Sequence, residues 1–291
     1  MNSDEDQDHV ARNANLQQVA DYIGQWSVGN AVLIMGDTNT RYTRAADTAL
    51  RTALRTQSGL TDAWVQLQKG GVNPTAGADA LLCDNPAKTN TCEIVDKLFY
   101  RGSSIVSLKA SAFTYDGNHF LNTDPKYPGA ILSNHNPILT TLDWSVSSTL
   151  RQSAFSGGPF GAWFSSLSKL SASPSAASVI TFRGAERLDS VGIKLADGTS
   201  FSYGGTGGTP VSLTLNAGER WTRTVLCTGE NNGQTRNFYI QATTSTGRTL
   251  QAGTKTSTCT TSNADAGFAV VGFMGQAGDE IDQLALIYGK Y

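Results

Sequence analysis

The segment Val270-Val271-Gly272-Phe273-Met274-Gly275-Gln276-Ala277-Gly278-Asp279-Glu280-Ile281-Asp282-Gln283-Leu284 decides how the C-terminal half of the chain is read. Apolar stretches flank a glycine-led acidic loop, Gly278–Asp282. Upstream of it, short alternating runs such as Val191-Gly192-Ile193-Lys194-Leu195, Val211-Ser212-Leu213-Thr214-Leu215 and Phe238-Tyr239-Ile240-Gln241-Ala242 are separated by Gly, Asn, Asp and Thr turns. No helical period survives from Val179 onward, so this half is expected to be an all-β sandwich, barrel or prism. The Gly278–Asp282 loop admits two readings. It is a β-turn with a solvated acidic tip, or a ligand loop in which glycine lets backbone N–H groups approach and Asp282 accepts paired hydroxyls.

Moving outward, the grammar changes near residue 150, and the expected division is 1–150 and 151–291. A polar connector, Ser145-Val146-Ser147-Ser148, leads to a glycine-rich opening, and residues 165–178 are Ser/Ala-rich. The first half mixes helix and strand signals. Leu16, Val19, Ala20 and Ile23 give one apolar helix face that should stop at Gly24. Ala31 to Met35 is a continuous apolar run, expected as a strand buried on both faces. A second helix is expected through Ala46, Leu50, Ala53 and Leu54, with strands at 94–100, 104–108 and 138–144.

Composition narrows the function classes. The 291 residues carry 24 acidic and 22 basic side chains, a net charge of −2, and neither half is strongly basic. A whole-protein electrostatic grip on nucleic acid is thereby disfavoured. No apolar run approaches the roughly 18–20 residues of a membrane-spanning helix. Met1–Asp8 is acidic and polar, without the basic and apolar regions of a secretory signal. The four cysteines fall as Cys83/Cys92 and Cys227/Cys259, one pair in each half. Three connectivities exist for four cysteines, and four reduced buried thiols are the alternative, but local pairing is the natural expectation. Closing the shorter loop would remove roughly 2.5–3 kcal/mol of unfolded-state freedom, and the longer about 3–4 kcal/mol. The cysteine pairs point to an extracellular, secreted protein, although no signal segment is present in this chain.

Chemistry in the first half starts at Gly36-Asp37-Thr38-Asn39, at the end of the apolar strand. Alternation places Asp37 and Asn39 on one face, where carboxylate and carboxamide suit a hard cation, a phosphate or a water. The same spacing suits an Asx turn after a strand. Asp96, in Ile94-Val95-Asp96-Lys97-Leu98, needs a partner to sit in a strand, and His135, in Ser133-Asn134-His135-Asn136-Pro137, is a candidate. An aspartate on one imidazole nitrogen fixes the tautomer of a general acid or base. The ordered series GDTN, VDKLFY and SNHNP resembles the C-terminal half of the endonuclease/exonuclease/phosphatase superfamily over residues 9 to 144. Its members are metal-dependent phosphodiesterases: nucleases, inositol-phosphate phosphatases and sphingomyelinases. The resemblance implies the second half of a four-layer α/β sandwich. It also implies Asp37 and Asn39 at the nucleophilic water and phosphate, Asp96 orienting His135, and His135 on the phosphate or as acid/base. Asp37, Asn39 and Asn134 would face Mg²⁺. Asn134 stands where the family has Asp, and the half that supplies the metal-binding Glu and a further His is absent. Glu5 and His9 lack the strand context to replace them and are read as solvated. Half a sandwich would expose an apolar sheet face, so the sequence is expected to be the truncated part of a longer product.

In the second half, Gly157-Gly158-Pro159-Phe160-Gly161-Ala162-Trp163-Phe164, then Leu188–Ile193, Tyr203–Gly208 and the closing segment resemble jacalin-related lectins over residues 154–291. The resemblance implies a β-prism of three four-stranded sheets and a single sugar site, with no cofactor. Asp282 would bind paired hydroxyls, and the backbones of Asp279 and Glu280 in the Gly278–Asp282 loop would donate to sugar oxygens. Asp279 and Glu280 stand where the family often has aromatics or aliphatics, so stacking on the sugar would be weaker or be supplied by Tyr203 or Trp163. Gly184–Asp189 is one residue too long for a second sugar loop. Three functions follow: a glycan-binding protein with an incomplete phosphodiesterase domain, a secreted Mg²⁺-dependent phosphodiesterase delivered to glycans by its lectin module, or an extracellular structural protein with neither activity. The expected partners are glycans or glycoconjugates and, for the enzyme, a phosphodiester in nucleic acid or a phospholipid headgroup.

Overall fold

The computed structural model describes residues 8–291, and the reading of Glu5 lies outside the described residues. Two compact units divide the chain, the first ending at Ser145 and the second running from Val146 to Tyr291.

The first unit opens with helix α1 (His9–Trp26), whose buried residues Arg12, Leu16, Ala20 and Ile23 form one stripe. The helix does not stop at Gly24. That glycine faces open space, so its helix penalty of about 1 kcal/mol is tolerated, and the chain turns only after Trp26, where Ser27 N–H bonds the Ile23 carbonyl at 3.0 Å. Strand β1 (Val32–Asp37) is followed by a π-helical segment (Leu50–Gln57), strand β2 (Thr61–Asp62) and helix α2 (Ala63–Gln68). The Asp62 carboxylate caps α2 by accepting from Trp64 N and Val65 N. Strand β3 (Asp96–Arg101) lies between β1 and β2, antiparallel to both, and β4 (Val106–Tyr115) pairs with β5 (Ile138–Val146).

The expectation that Ala31–Met35 is buried on both faces fails. Val32 and Ile34 pack on the core, but Leu33 is 44% and Met35 65% exposed. Helix α1 and the π-helical segment supply the core on one side of β1, and the opposite side is left open.

The second unit has no helix among the described residues. Its strands are β6 (Leu150–Gln152), β7 (Ser156–Gly157), β8 (Ala162–Ser165), β9 (Ala177–Gly184), β10 (Leu188–Leu195), β11 (Ser200–Gly204), β12 (Thr209–Thr214), β13 (Trp221–Asn231), β14 (Gln234–Thr244), β15 (Thr249–Gly253), β16 (Thr258–Asn263), β17 (Phe268–Ala277) and β18 (Ile281–Lys290). They form sheets ordered β11-β10-β9-β12 and β15-β14-β13-β16, and a third in which β17 and β18 are flanked by β8 on one side and by both β6 and β7 on the other. With β6 and β7 as two pieces of one edge, this is the three-sheet prism. Each sheet sends one buried aromatic to a common centre: Trp221 from β13 meets Phe182 from β9 at 5.6 Å and Phe273 from β17 at 5.8 Å. The cysteines are paired as Cys83–Cys92 and Cys227–Cys259, the latter directly across β13 and β16.

Replacing Trp221 removes the ring that touches both other sheets. Trp221→Ala should cost about 3–5 kcal/mol, measured by urea denaturation, whereas a loss below about 1 kcal/mol would show that the three sheets are held by other contacts.

Candidate functional site

In the first unit the site begins where β1 ends. Asp37 pairs in register with Asp96 on β3, as Met35 pairs with Leu98 and Leu33 with Tyr100, so both aspartates lie on the face that carries Leu33 and Met35. Past Asp37 the chain turns sharply. Asn39 has φ +52°, and its N–H bonds Asp37 Oδ1 at 2.7 Å. The Asx turn and the candidate site are therefore the same loop.

Two buried carboxylates anchor that loop. Asp47 Oδ1 receives Arg12 Nε at 3.0 Å and Nη2 at 2.8 Å, and its Oδ2 receives Arg41 N at 2.9 Å and Arg44 Nη1 at 3.0 Å. Arg44 Nη1 also donates to the Asn39 carbonyl at 3.1 Å, which ties the left-handed residue to the cluster. Glu93 accepts from Tyr42 N, from the N–H and hydroxyl of Thr43, and from Lys97 Nζ at 3.0 Å. Burial works to raise the Glu93 carboxyl, but Lys97 and the backbone donors outweigh it and hold the group below the usual carboxylate range.

His135 arrives from the segment before β5, and its Nδ1 lies 2.7 Å from Asp96 Oδ2. An ionised carboxylate can only accept, so Nδ1 carries the proton, and in the neutral ring Nε2 is left as acceptor. A cavity of about 520 Å³ adjoins the pair, lined in part by Asn39, Arg41, Glu93, Asn134 and Asn136. Sequence reasoning missed Arg41, Glu93, Asn136 and the distant Asp47. Arg41 lies two residues past Asn39 and was within reach of inspection, whereas nothing local marks Asp47. As a cation site the set does not suffice. Among the described residues no three His, Cys, Asp or Glu side chains converge on a common point, and of Asp37, Asn39 and Asn134 only Asp37 is charged.

In the second unit, Gly278 N bonds the Glu280 carbonyl at 3.1 Å and closes a tight turn. Gly278 and Asp279 are exposed, but Glu280 and Asp282 are buried, so the loop is not a solvated acidic tip. Arg187 Nε bonds Glu280 Oε2, and Arg236 Nη1 bridges Glu280 Oε1, at 3.1 Å, and Asp282 Oδ1. Both arginines escaped the sequence reading. Arg187 lies in the Gly184–Asp189 loop, and Arg236 follows the Asn231–Gly233 turn. The opening loop packs against Asp282: Gly158 N bonds its carbonyl at 3.1 Å, and at Gly161, with φ +73°, a Cβ would come within 2.5 Å of Asp282 Oδ2. Burial raises the Asp282 carboxyl above its ordinary value; Arg236 opposes the rise and the Glu280 charge adds to it. One face of Tyr203 is stacked on Phe164 at 4.2 Å, and Trp163 lies 6.1 Å from Phe155.

Comparison with known proteins separates the two units. Residues 155–287 match the family model of the Jacalin-like lectin domain, and this part of the chain is a jacalin-type lectin domain. The N-terminal part is 39% identical over 125 residues to sphingomyelinases of Mycobacterium bovis and Mycobacterium tuberculosis. That alignment covers 43% of this chain and 23% of each relative, so the chain spans about a quarter of the length of the curated relatives it matches. Among solved structures, a mannose binding jacalin related lectin from Ananas comosus is 21% identical, covering 49% of this chain and 99% of its own with a TM-score of 0.43. Frutapin, a lectin from Artocarpus incisa, is 20% identical, covering 50% and 99% with a TM-score of 0.43.

The Asp47 cluster predicts a specific cost. Asp47→Asn removes the buried charge that Arg12 and Arg44 bond, and should destabilise the protein by about 3–5 kcal/mol in urea denaturation. A change below about 1 kcal/mol would mean that the GDTN loop is held by other groups.

Proposed function

We propose that the chain binds glycans through its lectin domain and that its N-terminal unit carries part of a phosphodiester-hydrolysing site, with the protein working outside the cell. The match of residues 155–287 to the lectin family carries the first statement. Asp282 is the hydroxyl acceptor in this reading, and its Oδ2 lies beside the side-chain-free Gly161. Arg236 holds Oδ1 and so fixes the rotamer of the carboxylate. Gly278, Asp279 and Glu280 shape the turn, with the Asp279 and Glu280 backbones as donors.

Asp282→Ala should abolish glycan binding, measured by calorimetry or on an immobilised glycan panel, while the fold persists because Arg236 keeps its contact with Glu280. Retained binding in a folded Asp282→Ala protein would remove the assignment. Binding needs the ionised carboxylate, and burial has raised that group. Affinity should therefore be full at neutral pH and fall on acidification from above the ordinary carboxylate range.

A second reading, a secreted phosphodiesterase delivered to glycans, is favoured by the His135–Asp96 pair and by the sphingomyelinase relatives. Asp96 fixes His135 so that Nε2 can exchange a proton with a phosphodiester oxygen or with water, Asn39 and Arg41, which line the cavity, would meet the phosphate, and Asp37 shapes the turn that presents Asn39. Sphingomyelin and single-stranded nucleic acid, each supplied with Mg²⁺, are the substrates to try. His135→Ala should lower whichever hydrolysis is found by about 10²-fold or more. An unchanged rate, or no hydrolysis of either substrate, would leave the lectin reading alone.

A further inference from the structure

The segment that carries His135 is fastened to one loop, residues 84–91, whose ends are joined by Cys83–Cys92. Asn136, buried beside the histidine, uses its whole amide on that loop. Its Nδ2 donates to the Asp84 carbonyl at 2.9 Å, and its Oδ1 accepts from Ala87 N at 2.8 Å. On the other flank, Asn85 Nδ2 donates to the Ser133 carbonyl at 2.8 Å. His135 is thus bracketed at 133 and 136 by three hydrogen bonds to residues 84–87, while its own ring reaches a different element, Asp96 on β3. Gly117 packs against the same place, where a Cβ would lie 3.1 Å from Pro86 and 3.2 Å from Asn136 Oδ1.

We infer that Asn136 and Asn85 are positioning residues for His135, and that the Cys83–Cys92 bond makes the His135–Asp96 contact conditional on oxidation of the chain. A ten-residue segment without the bond must lose its own conformational freedom before it can order a neighbour, and closing its ends removes much of that cost beforehand. The bond is tied to the His135 segment by the two asparagines and to Asp96 by the backbone from Cys92 into β3, so the asparagine variants test the first route by itself. The inference rests on the reading of His135 and Asp96 as an acid–base pair. It adds that the pair assembles in an oxidising compartment and comes apart in a reducing one.

The readout is the tautomer of His135. Long-range ¹H–¹⁵N spectra of the ¹⁵N-labelled full chain, recorded at about pH 9, where imidazoles are neutral, report the tautomer of His9, His119 and His135. His135→Gln assigns the signal. The oxidised protein should show His135 in the Nδ1–H form, and Asp96→Asn should weaken that preference. Cys83→Ser/Cys92→Ser, with Cys227–Cys259 intact, should lose it and leave the tautomer mixture of a free imidazole. If the double variant fails to fold, Asn136→Ala and the partly exposed Asn85→Ala decide, since each removes only side-chain hydrogen bonds. An unshifted Nδ1–H form in the folded variants would overturn the inference while leaving the pair intact. A wild-type protein without the Nδ1–H form would overturn both.

Discussion

A carboxylate taken out of water has to be met by donors, and both candidate sites are arranged around that requirement. In the first unit Asp47 gathers two guanidinium groups and a backbone N–H onto its two oxygens, and one of those guanidiniums goes on to hold the Asn39 carbonyl. Left-handed backbone at a non-glycine residue is uncommon, and here the cluster over-determines it. Glu93 does the same for residues 42 and 43. In the second unit the ladder Arg187–Glu280–Arg236–Asp282 takes the place of water around the Gly278–Asp282 loop. The two candidate loops are short of apolar side chains, and they are fixed by charge and hydrogen bonds rather than by packing.

That difference explains which features were legible in the amino-acid sequence. The strands of the prism showed as alternating runs because period two survives in any sheet with one solvated face. The His135–Asp96 contact was legible because a lone charge inside a strand requires a partner. What escaped notice was long-range in sequence. Asp47 serves Arg12 from 35 residues away and Arg236 serves Asp282 from 46, and no local pattern encodes either pairing. The run Ala31–Met35 misled for another reason. Five apolar residues in a row look the same whether two layers or one will cover them, and only the tertiary contacts of β1 decide.

If Asp282 takes the sugar as proposed, the Arg236–Asp282 contact also frames selectivity at the Gly278–Asp282 loop. A sugar hydroxyl at Asp282 would then meet a carboxylate with one oxygen committed to a guanidinium and the other beside Gly161. Recognition on such a surface depends on shape and on the direction of hydroxyls more than on charge, since each acid of the ladder carries its own base.

Strand β1 forms the edge of its sheet and presents Leu33 and Met35 on an uncovered side. An edge strand with exposed apolar side chains is a template on which another chain can add a strand. For laboratory work this means that the polypeptide, produced by itself at high concentration, will tend to self-associate through residues 32–37. Solubility during expression then becomes a property of one short strand, and a lysine at position 33 or 35 is the smallest change that restores it.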